Sequence, residues 1–86
     1  MTQSVSEVIL DGRHMGNHEE YHPYLARKLD FPDYYGNNLD ALYDMLTGFI
    51  PPSHLVVKYS SAISPRVRMV LTKAAEDRKS LSVAFQ

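Results

Sequence analysis

Apolar and polar positions along the chain fall into short patterned runs separated by glycine, proline and asparagine. The run "SVSEVIL", residues 4–10, ends in β-branched residues and meets the turn pair Asp11-Gly12, which predicts a strand at about 5–10. In "NHEEYHPYLARKL", Tyr21, Leu25 and Leu29 recur at i, i+4 and i+8, so a helix is predicted over about 19–29. Proline fits a helix only in the first turn, so Pro23 implies either a start near residue 20 or a kink. "DFPDYYGNN" predicts a loop: Pro32 biases Phe31 away from helix, and Gly36 frees the backbone.

Asn38 as N-cap and Gly48 as terminator bound a helix over about 39–47. "IPPSH" predicts a connector, "LVVKY" (55–59) a buried strand and "SSAIS" a tight loop. Ser64 followed by Pro65 opens a helix reaching about residue 79, with Val67, Val70, Leu71, Ala74 and Arg78 on one stripe. "LSVAF" (81–85) predicts a closing strand. The order β-α-α-β-α-β predicts an α/β fold, a small three-stranded parallel sheet packed with about three helices, because helical crossovers favour parallel strands. Strand order is not legible in the pattern.

Composition narrows the function. The 86 residues form one expected domain, 1–86, able to hide roughly 60% of the surface its unfolded form exposes. The absence of cysteine excludes disulfide scaffolds, zinc–thiolate sites and thiol catalysis. No apolar run has transmembrane length, and "MTQSVSEVIL" lacks a basic stretch followed by an apolar one, so a cytoplasmic protein with no membrane partner is expected. Net charge is −1 but unevenly spread. Residues 29–57 hold Asp30, Asp33, Asp40 and Asp44 with no lysine or arginine. Residues 58–79 hold Lys58, Arg66, Arg68, Lys73, Arg78 and Lys79 against Glu76 and Asp77. Such polarity bears on partners rather than on fold.

The stretch "FPDYYGNNLDALYDMLTGF" (31–49) gathers acids and aromatics with no base among them. At 100° per residue, Leu39, Leu42, Tyr43 and Leu46 share the core side of its helix, with Tyr43 at the border. Asp40, Asp44 and Thr47 gather on the neighbouring, exposed side. Two aspartates at i, i+4 weaken a helix by roughly 0.2–0.5 kcal/mol, and only Asp40, near the positive helix end, recovers part of that. Acids without local bases, ringed by tyrosine, suit a cationic partner.

This stretch resembles the signature of the barstar family of ribonuclease inhibitors: a proline, a tyrosine pair, a glycine and an asparagine, then Leu-Asp-Ala-Leu-aromatic-Asp and Leu-Thr-Gly-aromatic. Weaker similarity extends to "VILDG", "LVVKY" and "LSVAF". The resemblance implies the same parallel fold, and an immunity protein that plugs the basic active-site cleft of a cognate ribonuclease or related toxin domain. It implies that Asp44 takes the place of a substrate phosphate and that Asp40 is the second acid. Tyr34, Gly36 and Asn38 would be loop contacts, with Tyr43 and Phe49 as aromatic contacts and Thr47 on the same exposed side. Lys73 departs from the pattern, standing where the family has a glutamate that reaches the ribonuclease. Either that contact is absent or the partner presents an acid. "SSAIS" is also shorter than the family's segment, so an extra short helix is expected to be missing.

Other chemistry is less well supported. Asp40 and Asp44 could hold hydrated magnesium, but a third ligand is not evident, and the chain leaves little room for a cleft serving paired-carboxylate hydrolysis. No enzyme activity, cofactor or metal is therefore expected. His14, His18 and His22 run at i, i+4, i+8 but straddle a loop and Pro23, and are expected on the surface. The basic last third does not form a single helix face, and a pI of about 6.4 is low for a nucleic-acid domain. The remaining alternative is a barstar-like interaction module whose target is not a ribonuclease. Among the other aromatics, Tyr59 and Phe85 are expected at the core or its edge, Tyr35 beneath the loop, Tyr21 and Tyr24 between first helix and sheet, and Tyr34 and Tyr43 as exposed contacts.

Overall fold

The computed structural model describes residues 5–86. Strands β1 (Ser6–Asp11), β2 (Ser53–Lys58) and β3 (Leu81–Phe85) form one parallel sheet in the order β1–β2–β3. Helices α1 (His18–Lys28) and α2 (Leu39–Gly48) connect β1 to β2, and α3 (Pro65–Asp77) connects β2 to β3. This is the expected α/β arrangement, and it supplies the strand order. Register pairs Val8 with Leu55 and Leu55 with Val83, then Leu10 with Val57 and Val57 with Phe85. Because side chains alternate along a strand, these residues share one face. Leu10, Leu55, Val57 and Leu81 on it are buried with Leu25, Leu42, Leu46, Val67, Leu71 and Ala74 of the helices. In the central strand Leu55, Val56 and Val57 are all buried, the continuous apolar run expected where strands flank both edges.

β2 begins two residues earlier than the apolar pattern suggests. Ser53 is buried, its amide donates to Ser80 O at 3.0 Å, and its hydroxyl donates to Pro51 O at 2.6 Å. Sheet pairing thus overrides the weak strand preference of serine and histidine. Tyr59, expected at the core edge, is instead 54% exposed. The strand ends at Lys58, and Tyr59 adopts a left-handed conformation (φ 54°) that turns the ring outward beneath the Arg13 guanidinium, 4.1 Å away. "SSAIS" holds only a single 3-10 turn (Ser60–Ala62), as its shortness implies. That turn packs on another at Gly12–His14 so closely that a Cβ on Gly12 would lie 2.4 Å from Tyr59 O and 2.6 Å from Lys58 O.

Helix α1 begins at His18 rather than near residue 20. Asn17 caps it, accepting from Glu20 N at 3.0 Å, while Glu19 and Glu20 in the first turn and Arg27 and Lys28 in the last complement the helix dipole. These contributions offset Pro23 in the helix interior. The helix closes with Asp30 left-handed (φ 57°) and Phe31 N donating to Ala26 O at 2.9 Å, which aims the following loop at α2. α3 starts as expected, with Ser64 accepting from Arg66 N and Pro65 in the first turn, but ends at Asp77 rather than residue 79.

Candidate docking face on helix α2

The loop from Phe31 to Asn38 is fixed from both sides. Tyr35 packs on Phe31, with ring centroids 4.8 Å apart, and its amide donates to Pro32 O at 3.0 Å. Its neighbour Tyr34 faces outward and is 75% exposed. The tyrosine pair is therefore divided, one ring holding the loop and the other left free, as the sequence suggested. The left-handed residue of the loop is Asn37 (φ 53°), while Gly36 has no positive φ. Gly36 serves close packing instead, since a Cβ there would lie 3.1 Å from Asn38 Nδ2. Asn38 locks the junction: Oδ1 accepts from Ala41 N at 2.8 Å, and Nδ2 donates to Gly36 O at 3.2 Å.

Helix α2 sends Leu42 and Leu46 into the core and leaves Asp40 and Asp44 exposed. Ion pairs among the described residues are Arg13–Asp11, His14–Glu20 and Lys73–Asp77, so neither Asp40 nor Asp44 is neutralised by a described base. Thr47 is half-buried and donates its hydroxyl to Tyr43 O at 2.8 Å, so its side chain is turned back on the helix. Phe49, just past the helix, is 43% exposed and stands at the same end as Thr47.

Tyr43 differs from expectation. It is half-buried, and its hydroxyl donates to Asp77 on α3. That bond, aided by partial desolvation and by the charges of Asp77 and Asp44, raises the tyrosine pKa. The same bond, with Lys73 assisting, holds the Asp77 carboxyl below its ordinary range. Lys73 is not a free cation either, because Nζ lies 3.3 Å from Asp77 Oδ1 one turn along α3. Arg78 then anchors the far end of α2: a guanidinium nitrogen donates to Leu46 O at 2.8 Å, one of the helix's terminal carbonyls. Asp77 and Arg78 escaped sequence reading as site residues. The Lys73–Asp77 spacing was visible as an i, i+4 pair, but the link to Tyr43 spans 34 positions and has no local signature.

The histidines disperse rather than converge. His14 meets Glu20 at 2.8 Å and His54 meets Ser82 at 2.6 Å. His22, expected on the surface, is buried at 3% exposure and bonds Tyr35. Residue 22 lies beside the Tyr21–Leu25–Leu29 stripe, so α1 turns it inward. Among the described residues no three histidine, aspartate or glutamate side chains are grouped to hold a metal, and no helix is long and apolar enough to cross a membrane.

The chain is similar to "Putative ribonuclease inhibitor YrdF" of Bacillus subtilis (strain 168), 57% identical over 53 residues. That match covers 60% of this chain and 58% of the relative's length. The family model described as Barstar (barnase inhibitor) matches residues 5–85, nearly the whole chain, and the protein belongs to that family.

Proposed function

We propose that this protein is a cytoplasmic immunity protein that binds a ribonuclease toxin and occludes its basic active-site cleft with α2 and the preceding loop. The observation that carries the reading is the pair Asp40 and Asp44: exposed, one turn apart, and facing no described base of their own chain. A nuclease cleft must offer lysines, arginines or protonated histidines to phosphate oxygens. A carboxylate on a rigid helix can take those donors without offering a bond to cleave. Asp44 would occupy the phosphate position and Asp40 the neighbouring one, with Tyr34, Gly36 and Asn38 seating the loop. Tyr43, Thr47 and Phe49 would border the acids and exclude water. The protein acts by binding, without catalysis, cofactor or metal.

Family membership and a relative named as a ribonuclease inhibitor support the choice of target. The test is titration of purified barnase with this protein while RNA hydrolysis is followed. Stoichiometric inhibition that weakens as salt rises supports the proposal. Full nuclease activity at saturating protein would reject barnase-type ribonucleases as the target and favour a barstar-like module with a different partner.

A further inference from the structure

We infer that the cleft where the three helix N-termini converge binds a phosphate group, free or carried on a nucleotide, through His22 Nε2 and the Arg66 guanidinium. Binding there does not depend on a ribonuclease partner, although Asn38 serves both surfaces. Asn17, Asn38 and Ser64 cap α1, α2 and α3, and all three line one cavity of about 440 Å³ together with His18, His22 and Arg66. Each helix brings the positive end of its dipole to this wall. No aspartate or glutamate lines the cavity. The first-turn acids Glu19, Glu20 and Asp40 lie outside it, and Glu20 is engaged by His14. The cleft is therefore positive and carries no counter-ion of its own among the described residues.

Helix ends alone do not demand a ligand; two side chains here do. His22 is buried, yet only its Nδ1 is partnered, by the Tyr35 hydroxyl. That hydroxyl has no other acceptor among the described residues, so its proton goes to Nδ1 and the neutral imidazole carries its own proton on Nε2. No fully buried side-chain nitrogen or oxygen among the described residues lacks a partner, so Nε2 reaches open space, and the cavity that His22 lines is this cleft. It presents a donor with no described acceptor. Arg66 is exposed, and its guanidinium makes no ion pair or hydrogen bond with a described residue, unlike those of Arg13, Arg68 and Arg78. Donors from α1 and α3 suit an anion with several oxygens, and a guanidinium grips phosphate through paired N–H bonds. The amides of His18 and Leu39, which open α1 and α2 at the same cleft, have no intrahelical acceptor and can add to them.

Inorganic phosphate is the probe, titrated into the 86-residue protein while amide and histidine-ring nitrogen shifts are followed by NMR. Chloride and acetate at matched ionic strength are the controls. Phosphate should give saturable shifts at His18, His22, Asn38 and Arg66, and should move the His22 Nε2 resonance. Arg66→Gln removes an exposed charge, so it should melt like the parent without phosphate. It should bind phosphate about tenfold or more weakly, the loss of a charge-assisted contact. A 3′-mononucleotide separates the two sources. Tighter binding than inorganic phosphate assigns the site to a nucleotide end, and equal or weaker binding assigns it to the free ion. Absence of saturable shifts, equal shifts with acetate, or parental phosphate affinity in Arg66→Gln overturns the inference. No ribonuclease enters the assay, so its failure leaves the α2 docking proposal standing.

Discussion

His22 on α1 and Tyr35 in the loop before α2 meet inside the protein, with His22 Nδ1 2.7 Å from the Tyr35 hydroxyl. Both residues are buried, and their rings lie 5.6 Å apart centroid to centroid. The contact joins the first helix to the loop that presents Tyr34 and leads into the acidic helix. Two predictions follow from the chemistry of this pair, one from its proton and one from its hydroxyl.

Burial is the larger cause, and the nearby His18 charge the smaller, of a His22 pKa below the usual 6.5. The Tyr21 ring, 4.5 Å away, and the Tyr35 phenol, itself held neutral by burial, complete its titratable surroundings. A depressed histidine pKa means that the unfolded chain binds the proton more readily. The stabilising effect is therefore full above pH 6.5 and declines as pH falls from there toward the folded-state value. Urea melts across this range should show stability dropping on acidification. His22→Gln, which can still bond Tyr35 but does not titrate, should flatten that slope. An unchanged slope would remove His22 from the account.

Tyr35→Phe deletes the hydroxyl and leaves a buried ring nitrogen without its partner. The cost of such an orphaned group is about 1–3 kcal/mol. Because the loop carries Tyr34 and Asn38, amide exchange should also accelerate between residues 31 and 38. Tyr34→Phe removes a hydroxyl from a 75%-exposed side chain and should leave stability within about 0.5 kcal/mol of the parent. Equal stability of the two variants would contradict the division of this tyrosine pair.

Glycine positions offer a sharper contrast. A methyl on Gly12 would stand 2.8 Å from Ile63 Cγ2 besides meeting the Tyr59 and Lys58 carbonyls, and backbone atoms cannot swing aside as side chains can. Gly12→Ala should cost about 1–3 kcal/mol or more by overpacking. Gly48 closes α2 with nothing within 4 Å of an added Cβ and no positive φ, so Gly48→Ala should stabilise by about 0.5–1 kcal/mol. Chemical denaturation of both variants checks the pair.

What the sequence could reveal divides along the same lines. Capping residues and apolar spacing are local, so Asn38, Ser64 and the stripe Leu42–Leu46 placed α2 and α3 closely. The exposure of Asp40 and Asp44 followed from helical phase alone. Features set by distant contacts were not legible. Ser53 joins β2 because strands on both sides pair with it, and Tyr59 leaves the core because the adjoining turn requires a left-handed residue. His22 turns inward toward a tyrosine 13 positions away, and Tyr43 finds its acid on another helix. Sequence alone puts backbone freedom at Gly36, but the left-handed residue is Asn37, since glycine's small size and its flexibility leave the same mark in a sequence.

Asp44→Ala sets binding against folding. The carboxylate is exposed and unpaired among the described residues, and it repels Asp40 one turn away. Its removal should leave stability unchanged or raise it by roughly 0.2–0.5 kcal/mol. In the proposed complex the same group is desolvated against the nuclease cations, and deleting it strands those charges, a loss of about 2–5 kcal/mol in binding. Asp40→Ala should lose less, because its place near the helix N-terminus already satisfies part of its charge. Thermal melts of the free variants and calorimetric titration against barnase measure both halves. A large fall in melting temperature for Asp44→Ala would mean the side chain supports the fold, and it could not then be held ready for another protein's cations.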